Sequence, residues 1–266
     1  MTQPFAGKVA LIAGASKGIG AVTAEAFARA GAAVVLGARD EQALGLVAEG
    51  INGRGGRALA VRTDVSDAAS MERFVGAAVE EFGRLDFAFN NATDGPRPAP
   101  LHEIDPAEFD RGIQVNVRGT FLGMKYQVAA MLRTGGGSIV NMASFAGIQG
   151  FPGLGAYVAG KAGIIGLTKV AALDYADQGI RVNVVAPGPI QTHHIDAAGA
   201  EAVRQAGLST PMRRIGQAHE VADAVLWLCS EQSSFITGVT LPIDGGQAAG
   251  LKPPRTYNPG KGMEES

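Results

Sequence analysis

Cysteine is nearly absent: Cys229 is the one thiol in 266 residues, so no internal disulfide can form and the chain asks for no oxidising compartment. Aromatic residues make up only 6%, and neither sign of charge is in excess, 23 Lys and Arg standing against 25 Asp and Glu for a net charge of −2. With a pI near 6.1, that balance leaves no basic stripe for nucleic acid and no polybasic segment for a membrane surface. Long apolar runs are missing too. The opening MTQPFAGKVALIAG holds no hydrophobic segment of export-signal length, and the longest apolar stretch, Val158 to Leu173, is broken by Lys161, Thr168 and Lys169 and so falls short of a spanning helix. Together these shortages point to a cytoplasmic protein whose partner is a small diffusible molecule, with no nucleic acid and no membrane.

Apolar residues, by contrast, are plentiful at 46%, enough for a large core. Short apolar or β-branched runs alternate with longer helical patterns: KVALIA, AAVVLG, RALAVRT, LDFAFN, GSIVNMA, IRVNVVAP and GVTLPID are separated by helices at about 18–30, 41–51, 68–82, 106–132, 155–176 and 218–230. Seven strands in that rhythm predict a single-domain α/β fold, a Rossmann-like doubly wound parallel sheet with helices on both faces. The domain is expected over residues 1–250, with a Pro- and Gly-rich tail at 251–266 that packs on the surface, reaches a neighbouring subunit or stays mobile. Two long loops, 93–105 and 188–216, follow strand ends, where open α/β sheets bind ligands.

After the first strand comes AGASKGIGAVTAEAFARAG, with Gly14, Gly18 and Gly20 at the turn into a helix. Glycines there let backbone N–H groups approach a pyrophosphate, while the helix N-terminus supplies partial positive charge. The same residues, Gly14-Ala15-Ser16-Lys17-Gly18, also read as the G-x-S-x-G turn of a serine hydrolase. Only thirteen residues precede the motif, too few for the earlier strand and loop that give such enzymes their oxyanion hole. The stretch GAYVAGKAG places Tyr157 and Lys161 four residues apart, on one face of a helix otherwise built here of Gly, Ala and Val. Alone, that pair equally fits a half-buried Tyr beside a Lys reaching for solvent.

Taken in order with NNAT, GSIVNMASFAG, RVNVVAPGPIQT and FITGVTLPIDGG, these motifs make the chain resemble the classical short-chain dehydrogenase/reductase family up to about Gly246. The resemblance implies four catalytic residues. Tyr157 exchanges the proton, Lys161 holds the nicotinamide ribose and acidifies the phenol, Ser144 hydrogen-bonds the substrate oxygen, and Asn116 anchors a water in a proton relay. Because a free phenol has a pKa of about 10, some three units above neutrality, the phenolate needs about 4 kcal/mol of stabilisation to exchange protons readily at pH 7. An ammonium one helical turn away and a cationic nicotinamide in the oxidised complex both provide it, in apolar surroundings where charge–charge interactions are poorly screened. Gly155, Gly160 and Gly163 are expected to let neighbouring elements and a cofactor come close. By the same resemblance the dinucleotide is held by Gly14, Ser16, Lys17, Gly18, Ile19, Gly20, Arg39, Asp64, Val65, Asn91, Ala92, Tyr157, Lys161, Pro187, Gly188, Ile190 and Thr192.

Two places depart from the family pattern. Ala13 replaces a Thr, removing a hydroxyl that often braces the next strand. Thr93 replaces the Gly of Asn-Asn-Ala-Gly, so a β-branched residue beside the nicotinamide is expected to narrow the pocket or add a hydrogen bond. At the end of the second strand the family's NAD-selecting acid gives way to Ala38, followed by Arg39, with Lys17 nearby; this favours NADP(H) over NAD(H), although Asp40 would serve NAD if it turned inward. The expected reaction is reversible hydride transfer between NADP(H) and a secondary alcohol or ketone, in a homo-oligomer, dimer or tetramer, of two-fold symmetry. Thr93, Phe145, Phe151, His193 and His194 flank the expected substrate site. No third ligand stands at useful spacing from the paired histidines, so no catalytic metal is expected. A catalytically idle nucleotide sensor would need a lost catalytic group, and an enoyl reductase a wider Tyr–Lys spacing.

Overall fold

Each short apolar run forms a strand. In the computed structural model, which describes residues 3–95, 97–192, 195 and 199–250, these are β1 (Val9–Ala13), β2 (Ala33–Ala38), β3 (Arg57–Arg62), β4 (Phe87–Asn90), β5 (Gly137–Met142), β6 (Ile180–Pro187) and β7 (Thr240–Ile243). All pair in parallel, in the order 3-2-1-4-5-6-7. The intervening helices are α1 (Gly18–Arg29), α2 (Glu41–Gly53), α3 (Ala68–Phe82), α4 (Pro106–Ile113), α5 (Gly119–Leu132), α6 (Phe145–Ile148), α7 (Gly155–Tyr175), α8 (Ala200–Leu208) and α9 (Ala218–Cys229).

Alternation along the strands divides the core into two layers. Within β1, Ala10 and Ile12 join Phe27 of α1 and Val225 of α9 on one face, while Val9, Leu11 and Ala13 join Phe74 of α3 and Met131 of α5 on the other. Cys229 lies in the first layer, where burial pushes its thiol up to about 12. A thiol so placed is an inert core residue.

Strand order reverses between β1 and β4, and the register there sets Ala13 beside both Gly37 and Asn90. The strand ends therefore open onto one crevice at the switch point, where such sheets bind ligands. Beneath it runs a buried polar chain. Asn90 donates to Gln127 Oε1 at 3.0 Å and to Asn141 Oδ1 at 2.8 Å, and Asn141 donates to Thr168 Oγ1 at 2.9 Å. Because all four side chains are buried, each bond saves a large desolvation cost, and together they pin α7 to β4, β5 and α5.

Two features differ from the sequence expectation. The helix expected at 106–132 is interrupted: Gln114–Arg118 form a π-helical turn between α4 and α5. One extra residue per turn shifts the helical face, a rearrangement that polar bonds to Asn116 hold in place. Second, the helical segment Gly155–Gln178 contains an 18-residue window of mean hydropathy 1.3, enough to cross a membrane by length and composition alone despite the two lysines. Here it lies against β5 and β6 with Lys161 and Thr168 buried within the protein.

Candidate active site

The crevice at the switch point has a volume of about 370 Å³. Gly14, Ser16, Lys17, Gly18 and Ile19 line it, with Arg39, Asp64 and Val65, and with Asn91, Ala92 and Thr192. These eleven are residues the sequence selected. Thr63 and Val115 share the lining and were missed, although each directly precedes a selected residue, Asp64 and Asn116. Gly20 sits beneath the turn rather than on the crevice surface, buried under the Gly14 carbonyl. Pro187, Gly188 and Ile190 lie at the end of β6, and Ile190 faces an adjoining cavity of about 330 Å³ with Thr210 and Met212.

The turn fits a dinucleotide by its own geometry. Gly14 has φ +82°, and a Cβ there would stand 2.7 Å from the Ala92 backbone nitrogen, so only glycine allows the turn to press against the β4 loop. Asn91 Nδ2 donates to the Gly14 carbonyl at 2.8 Å, fixing that contact. Helix α1 begins at Gly18 without a side-chain cap, which leaves its first N–H groups directed at the crevice for an anion.

The adenosine end of the crevice is marked by charge. Asp40 caps α2, its carboxylate accepting from the Ala43 N–H at 3.0 Å, and it also lines the crevice beside Arg39. Arg39 stays exposed at the crevice rim. Asp64 is held below the usual carboxylate range, chiefly by the Ser66 hydroxyl and further by Arg39 and Arg62.

Tyr157 and Lys161 project from α7 into one space, near Thr93, which lines the crevice. The Lys161 ammonium stands over the Tyr157 ring, 5.5 Å from its centre, and donates to the Met142 carbonyl at 3.0 Å. Lys161 is fully buried, and that desolvation lowers its pKa to about 7. Gly160 makes room for Asn116, since a Cβ at 160 would lie 3.1 Å from the Asn116 Cβ.

Ser144 closes β5 and caps α6, accepting from the Ala146 N–H at 3.2 Å. As that bond uses its oxygen, its hydrogen is still free to be given. Asn116, buried in the π-helical turn, donates through Nδ2 to the Asp94 and Gly112 carbonyls at 3.0 and 2.9 Å and accepts at Oδ1 from Thr93 at 2.9 Å.

One expectation is corrected. Lys161 was expected to acidify the phenol, but the Tyr157 pKa is raised, because burial outweighs the lowering influence of the nearby Ser144 and Thr93 hydroxyls. The reason is geometric: the ammonium lies over the ring face and is itself desolvated, so it does not offset the water the hydroxyl has lost.

Beside Ser144 a cavity of about 250 Å³ is lined by Phe145, Gln149, Leu208, Thr210, Arg213 and Gln247 among others. Phe151 is exposed on the loop before α7. His193 and His194 lie outside the described residues, as does the tail from 251 on. Among the described residues no three or more His, Cys, Asp or Glu gather as a metal site.

Fold and site together define a doubly wound α/β protein with a crevice at the switch point and, linked to it through Thr93, a cluster of Ser, Tyr and Lys. A family model described as enoyl-(acyl carrier protein) reductase matches residues 14–248. An A-factor type γ-butyrolactone 1′-reductase (1S-forming) of Streptomyces virginiae is 43% identical over 90% of this chain and 95% of its own. A cis-4-hydroxycyclohexanecarboxylate dehydrogenase of Sinomonas cyclohexanicum is 41% identical over 94% of this chain and all (100%) of its own. The crystal structure of levodione reductase superposes with a TM-score of 0.90 at 35% identity, covering 93% of this chain and 100% of that one. The chain belongs to the short-chain dehydrogenase/reductase family, and it is an NAD(P)-dependent oxidoreductase acting between CH–OH and C=O groups. Membership removes the serine-hydrolase reading of the Gly14-x-Ser16-x-Gly18 turn.

Proposed function

We propose that the protein reduces a cyclic ketone to a secondary alcohol with NADPH, reversibly, through Ser144, Tyr157, Lys161 and Asn116. The observation that carries this reading is the convergence of the Tyr157 ring and the Lys161 ammonium, with the Ser144 and Thr93 hydroxyls near the phenol and Thr93 itself lining the crevice. NADP(H) supplies or accepts the hydride when bound. Ser144 gives its free hydrogen to the carbonyl oxygen and fixes its position. Tyr157, protonated at neutral pH, transfers its hydroxyl proton to that oxygen as negative charge develops there, so that one hydride and one proton complete the alcohol. Lys161 holds the ribose hydroxyls, and Asn116 maintains the π-helical turn and the water relay beside it.

The raised Tyr157 pKa favours the reductive direction at neutral pH, because the proton donor is then in the required state. Arg39 and Lys17 support selection of the 2′-phosphate, with Asp40 engaged in its cap. The alicyclic alcohol named for one relative supports the ring-shaped substrate. Exposed Phe121 and Leu132 on α5, with Val170 and Leu173 on α7, support a homo-oligomer assembled through this pair of helices. A cytoplasmic enzyme of one catalytic unit, residues 1–250, is consistent with that reading.

A second reading, enoyl reduction, draws on the description of the matching family model; the four-residue Tyr–Lys spacing favours the carbonyl. A third, an idle nucleotide-binding sensor, predicts binding without turnover. Coenzyme oxidation at 340 nm separates the three when the protein is offered cyclohexanone, substituted cyclohexanones, γ-lactone ketones and a 2-enoyl thioester. Turnover of cyclic ketones is expected; turnover of the thioester alone, or of nothing despite coenzyme binding, would overturn the proposal.

A further inference from the structure

Thr93 stands where the family has glycine, and its hydroxyl has two neighbours that matter to the chemistry. It donates to Asn116 Oδ1 at 2.9 Å, and with Ser144 it is one of the two hydroxyls near enough to the Tyr157 phenol to work against the upward shift of its pKa. The acceptor is held firmly: both Asn116 amide hydrogens are committed, to the Asp94 and Gly112 carbonyls, which turns Oδ1 toward Thr93. The loop itself is anchored by Arg111 Nε donating to Asp94 Oδ2 at 2.7 Å.

A hydroxyl has one hydrogen to give. While Tyr157 is protonated, Thr93 places that hydrogen on Asn116 and offers only a lone pair to the phenol. Once the phenol has lost its proton, the same hydrogen is worth more on the phenolate, because a hydrogen bond to an anion is roughly twice as strong as one between neutral groups. A turn about one single bond makes the exchange, and Asn116, fixed by its two other bonds, does not move. We propose that Thr93 is a positioning residue that follows the ionisation of Tyr157, passing its hydroxyl hydrogen from Asn116 Oδ1 to the phenolate and back in each catalytic cycle. The inference rests on Tyr157 being the proton-transfer group. Around that phenol stand Lys161 over the ring and, beyond Thr93, the paired Asp94 and Arg111.

The test is a spectrophotometric titration of tyrosinate near 295 nm, in the full-length protein with added NADP⁺. The Tyr157 curve is obtained by subtracting the matching Tyr157→Phe protein, for the wild type, Thr93→Val and Thr93→Ser. Valine keeps the shape and removes the hydroxyl; serine keeps the hydroxyl and removes the methyl. Thr93→Val should raise the Tyr157 midpoint by about one unit, a tenfold loss of phenolate on the acid side, while Thr93→Ser stays within about 0.3 unit of the wild type. An unmoved midpoint in Thr93→Val overturns the inference. So does a serine variant that shifts as far as the valine one, which would make packing the cause, or a wild-type Tyr157 that does not ionise below about pH 12. Thermal unfolding of each variant checks that the fold survives. Failure of the underlying reading looks different: Tyr157→Phe would then keep its turnover, whatever the titration shows.

Discussion

Lys161 Nζ and the Tyr157 ring face one another at 5.5 Å, yet the lysine gives its hydrogen bond to the Met142 carbonyl. The ammonium is thus tied to the end of β5, one helical turn from the phenol and fully buried. That placement has a measurable consequence for stability. Burial lowers the folded-state pKa of Lys161 from 10.5 to about 7, so between those values the unfolded chain binds more protons than the folded one. Stability from this group therefore rises as pH increases from about 7 toward 10.5 and is flat below, with a slope of at most about 1.4 kcal/mol per unit. Urea unfolding at several pH values should show the wild type gaining on Lys161→Met through this window. A constant difference between the two would contradict the assignment.

The direction of the Tyr157 shift sets the pH dependence of turnover. Reduction uses the protonated phenol and should be level through neutrality, falling only in the alkaline range, whereas oxidation of the alcohol uses the phenolate and should climb with pH. Profiles of kcat/KM in the two directions check this. Oxidation that is fastest in mild acid would contradict it.

Coenzyme preference should sit on the rim of the crevice. Arg39→Ser is expected to weaken NADPH binding about tenfold and leave NADH within about twofold, since only the former has a 2′-phosphate to pair. Asp40→Asn, by contrast, should leave the preference unchanged, because its side chain caps α2. Fluorescence titration with both coenzymes measures each. Equal losses for NADPH and NADH in Arg39→Ser would place the discrimination elsewhere.

The buried polar chain below the site should be costly to break. Asn141→Ala leaves Asn90 and Thr168 each short of a partner in the core, and a loss of about 2–3 kcal/mol is expected in chemical denaturation. A loss under about 0.5 kcal/mol would show that water or rotation satisfies them.

Much of this was legible in the sequence, because the signals were local. Strand and helix alternation predicts all seven strands, and the Gly14 to Gly20 turn and the Tyr157–Lys161 spacing carry their geometry in a few adjacent residues. What escaped depended on distant partners. Nothing in QVNVR announces a π-helical turn, since Asn116 finds its bonds in Thr93, Asp94 and Gly112 only once the chain folds. The direction of the Tyr157 shift was missed for a similar reason. Spacing puts an ammonium near the phenol, but the balance between attraction and lost hydration depends on how deeply both are buried.

The central claim is that the Tyr157 hydroxyl delivers the proton. Its most direct test compares wild type with Tyr157→Phe for NADPH-dependent reduction of the best cyclic ketone, with NADPH affinity measured alongside. Rate should fall by a factor of about 10²–10⁴ while the coenzyme still binds. A phenylalanine variant that turns over at the wild-type rate would contradict the account.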